Sequence, residues 1–114
     1  MTLNHLNLTV TNVLEAKKIL EKYFGMKGQG GGKKMAFLSD DRGFILTLMK
    51  STSSKEVKYP GYFHIGFIVE SKERVNEINQ QLKTDGFNVP APQKFHAWTF
   101  YFEAPGGFTI EVMA

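Results

Sequence analysis

The chain of 114 residues contains no cysteine, one tryptophan and four prolines. Without thiols there is no disulfide framework, no thiolate nucleophile and no zinc site built on sulfur, an absence compatible with a reducing cytoplasm. No apolar run comes near the roughly 18 residues that a membrane-spanning helix needs. The N-terminal MTLNHLNLTV lacks the basic opening and apolar core of a secretory leader, so a cytoplasmic, non-membrane protein is expected. Charge of one sign is scarce too: 14 basic residues against 11 acidic ones leave a net +3, a mild field rather than a nucleic-acid footprint. Apolar residues at 42% and charged residues at 22% are ordinary globular usage, which excludes disordered and collagen-like classes and suits a single domain. Ten phenylalanines are many for this length, and some are expected to line a pocket or an interface.

What is present is ionisable chemistry inside apolar, strand-like runs. LNHLNLTV (3–10) carries His5, YFHIGFIV (62–69) carries His64, and FTIEVM (108–113) carries Glu111. Strand alternation puts His5, Asn7 and Thr9 on one face and Leu6, Leu8 and Val10 on the other. By the same parity His64 lies opposite Phe63, Ile65 and Phe67, and Glu111 opposite Phe108, Ile110 and Val112. A buried, unpaired carboxylate costs on the order of several kcal/mol, so pairing is expected. Two neutral imidazoles and one carboxylate suit nitrogen- and oxygen-preferring divalent metals and leave coordination positions open. A hydrogen bond between His64 and Glu111 is the plainer way to satisfy the acid.

The chain also repeats itself. Asn12, with Glu15 three residues on, caps a helix over about 13–24 whose apolar positions are Val13, Ala16, Leu20, Tyr23 and Phe24, and Gly25 ends it. Gly28 and the run 30–32 read as a flexible break, a mobile lip or disordered bend; they lack the Gly-Lys-Ser/Thr ending of a phosphate loop. Strands follow at 35–39 and 44–50, joined by Asp40-Asp41-Arg42-Gly43. After the polar stretch 51–60, read as a linker, the order begins again: a strand with His64, a helix capped by Ser71 with Val75, Ile78 and Leu82 on one face, Gly86 as its stop, a loop with Pro90 and Pro92, then strands at 98–103 and from 108. His5 and His64 are 59 positions apart, and the same shift carries Ala16 onto Val75 and Ile19 onto Ile78. Gly43-Phe44 and Gly107-Phe108 both open a final strand, which puts Thr47 in the place of Glu111. The pattern predicts an α+β domain made of two β-α-β-β-β modules, about 1–50 and 61–114, with one strand in each short or poorly marked.

These paired modules, the histidines in LNHLNLTV and FHIGFIV, and the ending FYFEAPGGFTIEV together resemble the vicinal oxygen chelate superfamily, which includes glyoxalase I, bleomycin- and fosfomycin-resistance proteins and extradiol dioxygenases. The resemblance spans essentially the whole chain. It implies a cup of mixed, largely antiparallel sheet with the helices outside and a divalent metal ion (zinc, iron, manganese, nickel or cobalt) on its inner surface. His5, His64 and Glu111 fall on the family's ligand positions, whereas Thr47 falls where glyoxalase I has a fourth, carboxylate ligand. Ala104-Pro105-Gly106-Gly107 departs from the family's acidic turn. Asn7 stands where fosfomycin-modifying enzymes have a catalytic threonine, and Thr9 where glyoxalase I has a glutathione-binding arginine.

The family's shared chemistry implies a small substrate chelating the metal through two adjacent oxygens, the cation stabilising negative charge that develops on them. His96 could move a proton in such a reaction, and a solvated loop histidine is the alternative. Asn7, Thr47, Trp98 and Tyr101 are candidates for lining the substrate site, the two aromatics by stacking. The expected function is a metal-dependent lyase, isomerase or dioxygenase; the alternative is a metal-free protein that sequesters a small antibiotic-like molecule, as bleomycin-resistance proteins do. Either way the resemblance implies a homodimer in which His5 of one subunit faces His64 and Glu111 of the other.

Overall fold

Strand alternation and two capped amphipathic helices account for nearly every element of the computed structural model, which describes residues 1–52 and 56–114. Residues Met1–Tyr59 with Pro105–Phe108 form one compact unit, and Pro60–Ala104 with Thr109–Ala114 form a second.

The first unit contains β1 (His5–Val10), α1 (Val13–Phe24), β2 (Lys27–Gly31), β3 (Met35–Ser39) and β4 (Ile45–Lys50). Its sheet runs in the order β1-β4-β3-β2, with β1 parallel to β4 and the other pairs antiparallel. Leu8, Val10, Ala36, Leu38, Leu46 and Leu48 point to one side and are buried. Against that side packs α1, whose buried stripe is Val13, Ala16, Ile19, Leu20 and Tyr23. The helix starts where Asn12 Oδ1 accepts from the Glu15 amide at 3.1 Å, and stops where Gly25 adopts φ 64°. The other face of the sheet leaves His5, Asn7 and Thr9 exposed beside Met35, Phe37 and Met49. Of the stretch expected as a linker, residues 53–55 lie outside the described residues; at its end the Tyr59 hydroxyl donates to the Thr9 carbonyl at 2.7 Å and accepts from the Thr9 amide at 2.9 Å.

The glycine run differs from expectation. Residues 27–31 are an edge strand, not a loose lip, paired antiparallel with β3 and irregular in register between Gly28 and Gly31. Glycine permits this rather than preventing it: Gly31 sits at φ 115°, where an added Cβ would press into the Met35 carbonyl and lie 2.6 Å from Ala36 Cα. Gln29 Nε2 donates to Ser39 Oγ at 2.9 Å and ties the strand down further. Gly31→Ala is therefore expected to lower the unfolding free energy by about 1–3 kcal/mol, read from urea denaturation.

The second unit repeats the order with β5 (Ile65–Ile68), α2 (Lys72–Thr84), β6 (Gln93–Lys94), β7 (Trp98–Ala104) and β8 (Phe108–Met113) in a sheet ordered β5-β8-β7-β6. Here β5 runs parallel to β8. Ser71 Oγ accepts from the Arg74 amide at 3.1 Å to start α2, and Val75, Ile78 and Leu82 are buried on the face that meets β7. The strand expected from residue 62 begins only at Ile65, because Phe63 N donates to the Pro60 carbonyl at 2.9 Å in a turn. His64 therefore stands at the mouth of β5 rather than inside it. Trp98 and Ala114 exchange both backbone hydrogen bonds at 3.0 Å. That mutual pair is an antiparallel signature, and it sets Tyr101 opposite Glu111 and Glu103 opposite Thr109.

Each unit is thus a β-α-β-β-β module whose second strand is glycine-rich or only two residues long. The registers coincide as well. Asn7 lies beside Thr47, and Thr47 beside Phe37, in the first unit; Gly66 lies beside Glu111, and Glu111 beside Tyr101, in the second. Among the described residues no helix is long and apolar enough to cross a membrane.

Candidate active site

Glu111 is one of the few buried polar residues among those described, 5% exposed. Thr99 Oγ1, itself buried, lies 2.8 Å from Glu111 Oε1, and His96 Nε2 lies 2.7 Å from the same oxygen. The Tyr101 hydroxyl donates to the carboxylate from the strand position opposite. Oε2 faces His64 Nε2 at 3.1 Å. Tyr101 meets the His64 ring edge-on, with centroids 5.4 Å apart and planes at 89°. Gly66 lies beside Glu111 in the sheet, and a Cβ added there would meet Oε2 at 4.0 Å, an ordinary van der Waals contact.

Burial pushes the Glu111 carboxyl up, but hydrogen bonds from Thr99 and Tyr101 and the neighbouring His96 imidazole outweigh it and hold the group below the ordinary carboxylate range. Glu111 is an anion at neutral pH. The Tyr101 phenol is pushed up by burial and then by the Glu111 charge and hydrogen bond, so it stays protonated and serves as a donor.

His64 adds a constraint. Its Nδ1 lies 3.0 Å from the Tyr62 carbonyl, which can only accept, so Nδ1 carries the proton. In the neutral ring Nε2 then offers a lone pair to a carboxylate oxygen 3.1 Å away. Two acceptors at that distance require a cation between them, either a proton or a metal ion. Two ligands held about 2.0–2.2 Å from one divalent ion, at an angle somewhat above a right angle, are separated by about this much. A ring nitrogen anchored on a backbone carbonyl is also how metal-bound histidines are commonly oriented.

The other candidates are distributed differently. His5 is exposed at the start of β1, its Nδ1 2.7 Å from Asn4 Oδ1. Asn7 donates to Met49 Sδ at 3.1 Å, and Thr47 stands beside it, half-buried. Trp98 lies on the face of β7 away from Tyr101, its indole N–H donating to Asn76 Oδ1 on α2 at 2.8 Å. Among the described residues no group of three His, Cys, Asp or Glu side chains is arranged to hold a metal ion. His64, Tyr101, His96 and Glu111 are brought together within the second unit, Trp98 lies on the other face of β7, and His5, Asn7 and Thr47 belong to the first unit. The sequence reading missed Thr99, although strand parity with Tyr101 and Glu111 carried its signal.

The profile of the Glyoxalase/Bleomycin resistance protein/Dioxygenase superfamily matches residues 2–112. The chain belongs to this superfamily. Among solved structures of the superfamily's fold, one described as a possible glyoxalase from Bacillus cereus is 56% identical, with a TM-score of 0.92 over 100% of this chain and 99% of that one. A genomically encoded fosfomycin resistance protein from Listeria monocytogenes aligns at 22% identity and TM-score 0.81, covering 100% and 93% of the two chains. Lactoylglutathione lyase from Agrobacterium tumefaciens aligns at 16% identity and TM-score 0.76, covering 98% and 92%. The last two likenesses concern the fold. No curated protein matched significantly.

Proposed function

We propose that this superfamily member is a metal-dependent enzyme, a lyase, isomerase or dioxygenase, acting on a small oxygenated substrate. The reading is carried by the facing acceptors His64 Nε2 and Glu111 Oε2, held 3.1 Å apart by side chains otherwise fully engaged. Those two atoms would hold a divalent cation, and His5 would supply the third protein ligand from a second subunit. When bound, the cation supplies Lewis acidity to two adjacent substrate oxygens. The chain's own residues do the rest. Thr99 and His96 occupy Oε1 and leave Oε2 free to ligate, Tyr101 keeps the carboxylate ionised, and His96, 54% exposed, can exchange a proton with solvent or substrate. The fosfomycin resistance protein from Listeria monocytogenes has been crystallised with Mn(II), which makes that ion a fitting probe here.

A second reading has its own support: the lack of a three-ligand group among the described residues suits a metal-free protein that binds a small antibiotic-like molecule. Metal analysis of protein purified without chelator, together with Mn(II) titration of the wild type and His64→Ala, separates the two. Near-stoichiometric metal in the wild type and an affinity at least about 100-fold weaker in the variant are expected. Substoichiometric metal, with the variant unchanged, would select the metal-free binder. The cytoplasmic location and the exclusion of nucleic acid as a partner stay part of this proposal, resting on the composition and mild charge.

A further inference from the structure

One cavity of about 560 Å³ lies within the second unit, and its polar lining is Asn88, Tyr101, Glu103 and Thr109. Tyr101 belongs to this cavity and to the Glu111 group alike, so the two adjoin. Glu103 and Thr109 lie opposite each other on the same sheet face as the Tyr101–Glu111 pair. Each is two residues from its member of that pair, about 7 Å along the strand. A molecule held at His64 and Glu111 would have this cavity beside it, on the far side of Tyr101 along the strand. Every polar side chain there can accept a hydrogen bond, and no lysine, arginine or histidine lines it. Its single charge is the Glu103 carboxylate, and among the described residues no hydrogen bond or ion pair engages that group.

We propose that this cavity receives a cationic arm of the substrate, such as a protonated amine, with Glu103 as counter-ion, and that it discriminates against anionic arms. The inference deepens the metal-enzyme reading, on which it depends for where the chelating head sits. An ammonium about 5–6 Å from a carboxylate in a largely aqueous setting gains a few-fold in affinity and a carboxylate loses as much, so the two arms should differ by about ten-fold.

Three catechols that share one chelating head test it: 3,4-dihydroxyphenethylamine (ammonium arm), 4-methylcatechol (neutral) and 3,4-dihydroxyphenylacetate (carboxylate arm). Each is titrated calorimetrically into Mn(II)-loaded and metal-free protein, after Mn(II) binding itself has been measured. The expected order is ammonium, then methyl, then carboxylate, and Glu103→Gln should bring the ratio of the outer two close to one while leaving 4-methylcatechol unchanged. Equal affinities in the wild type, a ratio that survives Glu103→Gln, or no binding of any probe to either form would overturn the proposal. Absence of Mn(II) binding combined with the expected order on metal-free protein would instead remove the metal reading and leave the cavity's selectivity standing.

Discussion

Glu111→Gln is expected to weaken Mn(II) binding by at least about 100-fold, because loss of groups that merely support a ligand already costs 10–100-fold. Glutamine keeps the volume and one acceptor but removes the charge that Thr99, Tyr101 and His96 are arranged to stabilise. It also leaves a single, uncharged acceptor oxygen where Thr99, Tyr101 and His96 stabilise an anion, so the metal-free variant should lose about 1–3 kcal/mol of stability at neutral pH. That loss has a pH signature of definite sign. The folded Glu111 carboxyl titrates below the ordinary range, so as pH falls the unfolded chain takes up its proton first and unfolding is favoured. The contribution is complete above the unfolded value and disappears as pH falls through the folded one. Wild type and variant should therefore converge in stability on the acid side of the ordinary carboxylate range. Mn(II) titration by electron paramagnetic resonance and urea unfolding at several pH values check both parts. A gap that stays constant into acid would show that the carboxylate's charge is not what the pocket stabilises.

The sequence disclosed the modules because their signals are local. Asn12 and Ser71 cap helices through side-chain oxygens within three residues, and Gly25 ends α1 through its own φ of 64°. The duplicated register was legible for a related reason: a shift that superposes two histidines also has to superpose the strands carrying them, which sets Thr47 where the second unit has Glu111. Misreading began where a residue's role depends on a partner distant in sequence. Gly31 looks like part of a flexible break until β3 is beside it, when the closeness of Met35 and Ala36 shows why glycine fits this irregular edge strand. His96 looks like a solvated loop residue until Glu111, fifteen positions later in the sequence, brings its Oε1 to 2.7 Å. Thr99 gave no sign of importance by itself, since threonine is common in strands and only the carboxylate beside it makes its burial meaningful. Trp98 shows the converse: an aromatic that invites a stacking role is engaged by Asn76 on the helix side of its sheet.

Mixing two inactive variants should restore metal binding to about one quarter of the wild-type level if the site is shared between subunits of a two-fold dimer. His5→Ala removes the ligand that one subunit would lend, and Glu111→Gln removes the one that receives it. In either homodimer both sites are broken. In a heterodimer one site combines the altered His5 position with the altered Glu111 position, while the other combines an intact His5 from the Glu111→Gln chain with intact His64 and Glu111 from the His5→Ala chain. Random exchange makes about half of all dimers mixed, and one site in each is whole, hence about a quarter of the total. The motive is the ligand count: His64 and Glu111 supply two donors, and among the described residues no third His, Cys, Asp or Glu joins them in an arrangement suited to a metal. The two variants would be co-unfolded in urea, refolded together, and titrated with Mn(II) beside each variant refolded alone. Recovery in the mixture alone locates the third ligand on a second copy of the chain. Silence in the mixture, with each variant folded and dimeric, would mean that His5 serves its own subunit or none.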